Sequence, residues 1–203
     1  MTPAATPAAT PAATGTPAPA LDRAAAVRAA LRALVARNGF HGSSMSAVAA
    51  EAGVGTGTAY VHYASKDELV LATYLEVKRD LGEAATVDVD PGSPAEQRFH
   101  QLWLGIHRHL SGDPDRARFL LQVDSSPFAR AAHELAMAAD GDPIMAAAAA
   151  PDLADRLVDL PLEVLYDLGL APAVRLAASD VDLDAAALDR VADACWRAIT
   201  VSG

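Results

Sequence analysis

Between Ser43 and Leu69 the chain reads SSMSAVAAEAGVGTGTAYVHYASKDEL, two short helical patterns that meet at a glycine corner. That order leaves little room for anything but a helix-turn-helix. Ser43 or Ser44 supplies a capping hydroxyl for the first helix, whose apolar side is Val48, Ala49 and Ala52. Gly53 falls where this helix must stop, in the left-handed conformation that glycine adopts at least cost. Val54 follows as an apolar plug between the helices. The second helix, about Thr56 to Tyr63, is too short to be stable alone, so its role is to present side chains. Those side chains are Thr56, Thr58, Tyr60 and His62. A second helix of this kind enters the major groove of DNA, where hydroxyls meet base edges and polar groups hold phosphates.

Ser65 then stands three residues before Glu68, a capping pattern that starts a further helix at about Lys66. The free amides of that helix start and the Lys66 ammonium both favour an anion, which makes a natural phosphate clamp. Ser44 and Ser46, at the start of the first helix of the pair, are further candidates for phosphate or base contact.

The run AGVGTGTAYVHYASKDEL, Ala52 to Leu69, is similar to the signature of the TetR family of bacterial transcriptional repressors. The match is carried without a gap by Val48, Ala49, Ala52, Gly53, Val54, Gly57, Thr58, Tyr60, Tyr63, Lys66 and Leu69. Gly55, Ala59 and Val61 depart from the commonest pattern, in which a capping Ser, a larger aliphatic and a polar or aromatic residue stand there. These departures bear on base preference and on the rigidity of the second helix. The resemblance implies an all-α protein of about nine helices, a homodimer joined through its last two helices, that binds operator DNA and is released by a small molecule. It assigns Thr56 and Thr58 to bases or nearby phosphate, and Tyr60, His62 and Lys66 to the DNA backbone; Ser44, Ser46 and Gly55 complete the DNA-binding set. A short two-fold reader needs two heads about one DNA turn apart, and a symmetric dimer supplies that spacing.

The expected organisation is a disordered tail over 1–20, a three-helix DNA-binding domain over 21–68, and a ligand-binding and dimerisation domain over 69–203. The tail repeats TPAA on an uncharged, proline-rich background that favours an extended arm. A first helix follows, with Val27, Leu31, Leu34 and Val35 at helical spacing and Arg23, Arg28, Arg32 and Arg37 mostly off that stripe. Asn38 and Gly39 end it, and Phe40 packs beneath the helix pair. A net charge of -10 looks wrong for a DNA binder until it is divided: residues 1–68 balance to +1 and the remainder to -11. The acidity belongs to the other part. So small a basic excess predicts modest non-specific affinity and a shallow dependence on salt.

The helix from Lys66 runs to about Ala85 and, by the resemblance, transmits the ligand signal; VDVDPGSP, Val87 to Pro94, punctuates the chain after it. Phe99, Leu102, Trp103, Ile106 and Leu110 mark one face of a fifth helix, and Ala117, Phe119, Leu120 and Leu121 the core of a sixth. Two more cover Phe128 to Ala139 and the alanine run to about Leu157. A helix from Leu160 bends at Gly169 and Pro172, and the last carries Leu188, Val191, Ala192, Cys195 and Ile199 behind a cap at Asp182 or Asp184. Ala173, Ala177, Ala187, Ala194 and Ala198 would let helices of two subunits approach closely. Nothing reads as a strand. An effector site is expected where large apolar residues mix with a few polar ones, with His100, Trp103, His107, Phe119, Gln122, Phe128, Met137 and Tyr166 as its candidates.

Enzymatic readings fail on spacing. Gly53, Gly55 and Gly57 follow no strand and precede no Gly-Lys-Ser/Thr; His133 and Glu134 lack the second His of a zinc helix, with Met at 137. His107 and His109 point to different faces of one helix, so no metal or cofactor is expected. The competing reading is a helical small-molecule-binding protein or enzyme that kept a helix-turn-helix head. Cys195 is the lone cysteine, there is no long apolar run and no basic-then-apolar leader, and the expected location is the cytoplasm.

Overall fold

The computed structural model describes residues 20–139, 141–148 and 150–201, so the expected tail lies almost wholly outside the described residues. Within them the chain forms twelve α-helices: α1 (Ala20–Asn38), α2 (Met45–Glu51), α3 (Thr56–His62), α4 (Lys66–Thr86), α5 (Ala95–Ser111), α6 (Pro114–Asp124), α7 (Ala129–Ala138), α8 (Pro143–Ala148), α9 (Pro151–Ala154), α10 (Leu162–Gly169), α11 (Ala171–Ala178) and α12 (Ala185–Ile199). No strand forms among the described residues, apart from an isolated bridge between Leu157 and Thr200. The expected count of about nine is corrected upward by prolines. Pro151 begins α9 and cuts the alanine run, and Pro172 stands in the first turn of α11 with Leu170 as the hinge, where a single bent helix was expected.

The head forms as its sequence dictates. Val27, Leu31, Leu34 and Val35 bury along α1, and α1 gives way at Gly39, with φ 67°, to a short 3-10 turn over Phe40–Gly42. Ser44 caps α2, its Oγ accepting from Ala47 N at 3.2 Å, while Ser43 is fully buried and donates to the Phe40 carbonyl at 2.9 Å. Gly53, with φ 66°, makes the corner. α3 follows Gly55, an N-cap residue that offers no side-chain cap, and is anchored by Ala59, which is fully buried. Ser65 caps α4 by accepting from Glu68 N at 3.1 Å, and Glu68 Oε2 reaches back to Ala64 N at 2.7 Å.

From there α4 runs as a spine, burying Leu69, Val70, Tyr74, Val77, Leu81 and Ala85. It lies so close to α5 that a methyl placed on Gly105 would stand 2.5 Å from the Ala85 carbonyl oxygen. The expected stripe of α5 is buried throughout: Phe99, Leu102, Trp103, Ile106 and Leu110. Phe99 meets Trp196 of α12 at 5.5 Å between ring centres, and Gly169 of α10 sits against Phe99 and Ile199. Two alanines expected between subunits behave otherwise. Ala173 and Ala177 are buried inside their own chain on α11, whereas Ala194 and Ala198 on α12 are exposed and Ala187 is half-buried.

Candidate nucleic-acid interface

A helix advances by about 100° per residue, so the direction opposite a buried anchor can be read off the sequence once the anchor is known. For α3 the anchor is Ala59, and Gly57 and Val61 lie nearly diametrically across from it. Val61 is 81% exposed, and a methyl placed on Gly57 would meet nothing within 4 Å. Thr56 and Tyr60 flank this ridge on one side and are exposed; Thr58 and His62 stand on the other flank, half-buried.

None of the eight DNA candidates is buried: Ser44, Ser46, Gly55, Thr56 and Tyr60 are exposed, and Thr58, His62 and Lys66 are intermediate. Ser44 and Ser46 hydrogen-bond each other at 3.0 Å. Lys66 Nζ donates to the Phe40 carbonyl at 2.6 Å and stands 5.6 Å from the centre of the Phe40 ring. Burial lowers the Lys66 ammonium below the ordinary lysine range, against the opposing pull of Asp67. One of its three donors is thus committed to the fold, and two remain. Phe40 also reaches the C-terminal helices, meeting the Phe128 ring at 5.0 Å.

Three of the four arginines of α1 are engaged by carboxylates. Arg28 pairs with Glu76, Arg32 with Asp113 at 3.2 Å, and Arg37 with Glu51 at 2.7 Å. Tyr63, expected in the core, is 6% exposed, with its hydroxyl accepting from Arg28 at 2.5 Å. The residues that sequence reasoning passed over are Gly57 and Val61, noted only as matching or departing positions. A helical wheel centred on Ala59 would have found them.

The eight effector candidates scatter. Trp103 and Phe119 are fully buried in the core; Gln122 and Met137 are exposed. His107 stacks on Trp103 with ring centres 6.0 Å apart, and His100 Nε2 lies 2.8 Å from Asp193 Oδ1, joining α5 to α12. Phe128 is taken up against Phe40. Tyr166 is half-buried, and burial, reinforced by the Asp124 charge, pushes its hydroxyl well above the usual tyrosine range; Tyr74 on α4 is raised for the same two reasons. Asp124 in turn meets His133 Nε2 at 2.9 Å. An open groove elsewhere is lined by Leu168, Pro172, Leu183, Ala187, Arg190, Val191, Ala194, Cys195 and Ala198, and it includes none of the eight. Among the described residues no cluster of His, Cys, Asp and Glu is arranged to hold a metal.

Residues 27–73 match the family model for bacterial regulatory proteins of the tetR family, and residues 94–200 match that for a tetracyclin repressor-like C-terminal domain. The chain is 29% identical over 182 residues to an uncharacterized HTH-type transcriptional regulator of Haemophilus influenzae, covering 88% of this chain and 96% of that protein. A crystal structure of a TetR-family transcriptional regulator from Haemophilus influenzae superposes with a TM-score of 0.74 at 27% identity, over 89% of this chain and 98% of the other. A TetR-family regulator from Vibrio parahaemolyticus gives 0.68 at 28% identity, over 88% and 98%. The chain belongs to the TetR family of bacterial regulatory proteins, DNA-binding transcriptional regulators of the helix-turn-helix type.

Proposed function

We propose that this regulator is a repressor that binds a short two-fold operator as a homodimer and leaves it when a small molecule enters the C-terminal helices. The observation that carries the reading is the outward ridge of α3. A seven-residue helix held by one buried alanine, with its opposite side bare, has no packing role on that side. Thr56, Thr58, Tyr60, His62, Ser44, Ser46, Gly55 and the spare donors of Lys66 then surround the ridge as the groups that fix register on the phosphates and neighbouring bases.

The groove between α10, α11 and α12 supports pairing with a second copy. Its lining is mostly apolar, Ala194 and Ala198 keep it shallow, and it spans the last helices of the chain. Of the effector candidates, Tyr166 is the best placed to report occupancy, because the Asp124 charge acts on it and also on Tyr74 of α4, the helix that begins at the head. A ligand there needs to distinguish two arrangements of α4 by only about 1–3 kcal/mol to release DNA. This reading places the protein in the cytoplasm with no turnover chemistry and no cofactor; no described helix is long and apolar enough to cross a membrane. Anisotropy titration of the full chain against fragments of its neighbouring promoter tests it. Saturable binding to one fragment, at two subunits per site, is expected. Equal affinity for every fragment would overturn it.

A further inference from the structure

We propose that Val61 reads a thymine, by seating its methyl groups against the thymine 5-methyl in the major groove of each half-site. The inference rests on the operator-binding reading and names what the outermost side chain of α3 recognises.

Three observations converge on Val61. It stands about 160° around α3 from the buried Ala59, so it points along the line that leads out of the head. A turn earlier on the same ridge is Gly57, where there is no side chain and open space for one, so the backbone can settle close to the base edges and bring Val61 with it. Thr56 and Tyr60 on one flank and Thr58 and His62 on the other are the side chains turned toward the walls of the groove, where the phosphates run. Val61 is left facing the floor.

The chemistry of the side chain then selects its partner. Valine carries no donor or acceptor, so it can neither grip a phosphate nor complete a hydrogen bond to a base edge. Among the groups displayed on the major-groove floor, the thymine 5-methyl is the apolar one. A β-branched residue is also a weak choice for a short exposed helix on propensity alone. At 81% exposure, nearly all of the Val61 surface is available for burial against DNA.

The test uses the full-length protein and the promoter fragment it binds, with each thymine of the protected site replaced singly by deoxyuridine, which removes the 5-methyl and nothing else. Wild-type protein is expected to lose about fourfold in affinity at one thymine per half-site, the contribution of one buried methyl group. Val61→Ala is expected to bind the unmodified site more weakly and to be indifferent to deoxyuridine at that thymine. Because Val61 is 81% exposed in the head, Val61→Ala should keep a near wild-type melting temperature, which separates a lost contact from a lost fold. A flat deoxyuridine scan with wild-type protein, or the same fourfold loss in Val61→Ala, overturns the assignment while leaving operator binding intact. Failure of wild-type protein to prefer any fragment overturns the operator-binding reading and this assignment with it.

Discussion

The Arg28 guanidinium donates to the Tyr63 hydroxyl at 2.5 Å while its Nε pairs with Glu76, so one side chain fastens the residue that ends α3 to both α1 and α4. The Tyr63 hydroxyl also donates to the Ala24 carbonyl, at 3.4 Å. Orientation of the reading helix relative to the spine is thus tied in part to one half-buried cation, beside the packing of Ala59 and Tyr63. Tyr63→Phe removes a neutral hydroxyl and should cost about 1 kcal/mol of stability. Arg28→Met strands Glu76 as well and should cost about 2–3 kcal/mol. Urea denaturation of the variants checks both, and equal losses would show that Glu76 contributes nothing to the link.

Gly57 and Gly105 give opposite outcomes for the same substitution. Alanine at 57 enters open space within a helix, so it should stabilise the head by up to about 1 kcal/mol through helix propensity. The new methyl nevertheless stands on the ridge that approaches DNA, and operator affinity should fall. Alanine at 105 meets the Ala85 carbonyl at 2.5 Å, and the backbones of α4 and α5 must part. That overpacking should cost about 1–3 kcal/mol. Thermal melts paired with operator titrations separate the two cases, since Gly57→Ala should raise the melting temperature and weaken binding at once.

How much of this was legible beforehand depends on whether a feature is local. The cap at Ser65, the corner at Gly53 and the buried stripe of α5 follow from hydrogen bonding within one turn and from helical spacing, and all are where the sequence puts them; of the paired alternatives Ser43 or Ser44 and Asp182 or Asp184, the structure takes Ser44 and Asp184. Pro151 and Pro172 were visible too, but whether a proline bends a helix or divides it depends on what surrounds it. Partner choice was not legible. Arg28, Arg32 and Arg37 read as a solvated face until Glu76, Asp113 and Glu51 come to them across the fold. Burial of the effector candidates was not legible either, because a list of large residues cannot tell Trp103 and Phe119, which fill the core, from Met137, which is exposed.

Stability should fall as the solution is acidified through about pH 6.5. His109 Nε2 lies 2.7 Å from Arg116 Nη1, and since a guanidinium only donates, the imidazole must accept as the neutral form. Burial first, then the Arg116 charge, depresses His109 below the usual histidine range, with Asp80 and Asp113 pulling the other way; burial alone depresses His107. A depressed histidine takes up its proton more readily in the unfolded chain. The stability it confers is complete above the unfolded value near 6.5 and declines below it. Melting temperatures from pH 7.5 to 5.5 should drop less for a His107→Gln, His109→Gln double variant than for wild type. Parallel curves would remove both imidazoles from the account.

Operator binding should depend on salt only moderately for a regulator of its kind. Three of the four arginines of α1 are spent on Glu76, Asp113 and Glu51, which leaves Arg23 and Lys66 as the basic residues of each head outside those pairs. Four phosphates neutralised per dimer correspond to a slope of log K on log salt of about -3.6, or roughly a hundredfold loss between 50 and 200 mM. Arg37 is the arginine most easily recruited, because its pair with Glu51 is solvent-exposed on both sides and such pairs contribute little. Glu51→Gln should free it and steepen the slope by about one for each subunit whose Arg37 then reaches a phosphate. A wild-type slope near -8 would mean that the internal pairs open on DNA, and a Glu51→Gln slope equal to wild type would place Arg37 out of reach of the duplex.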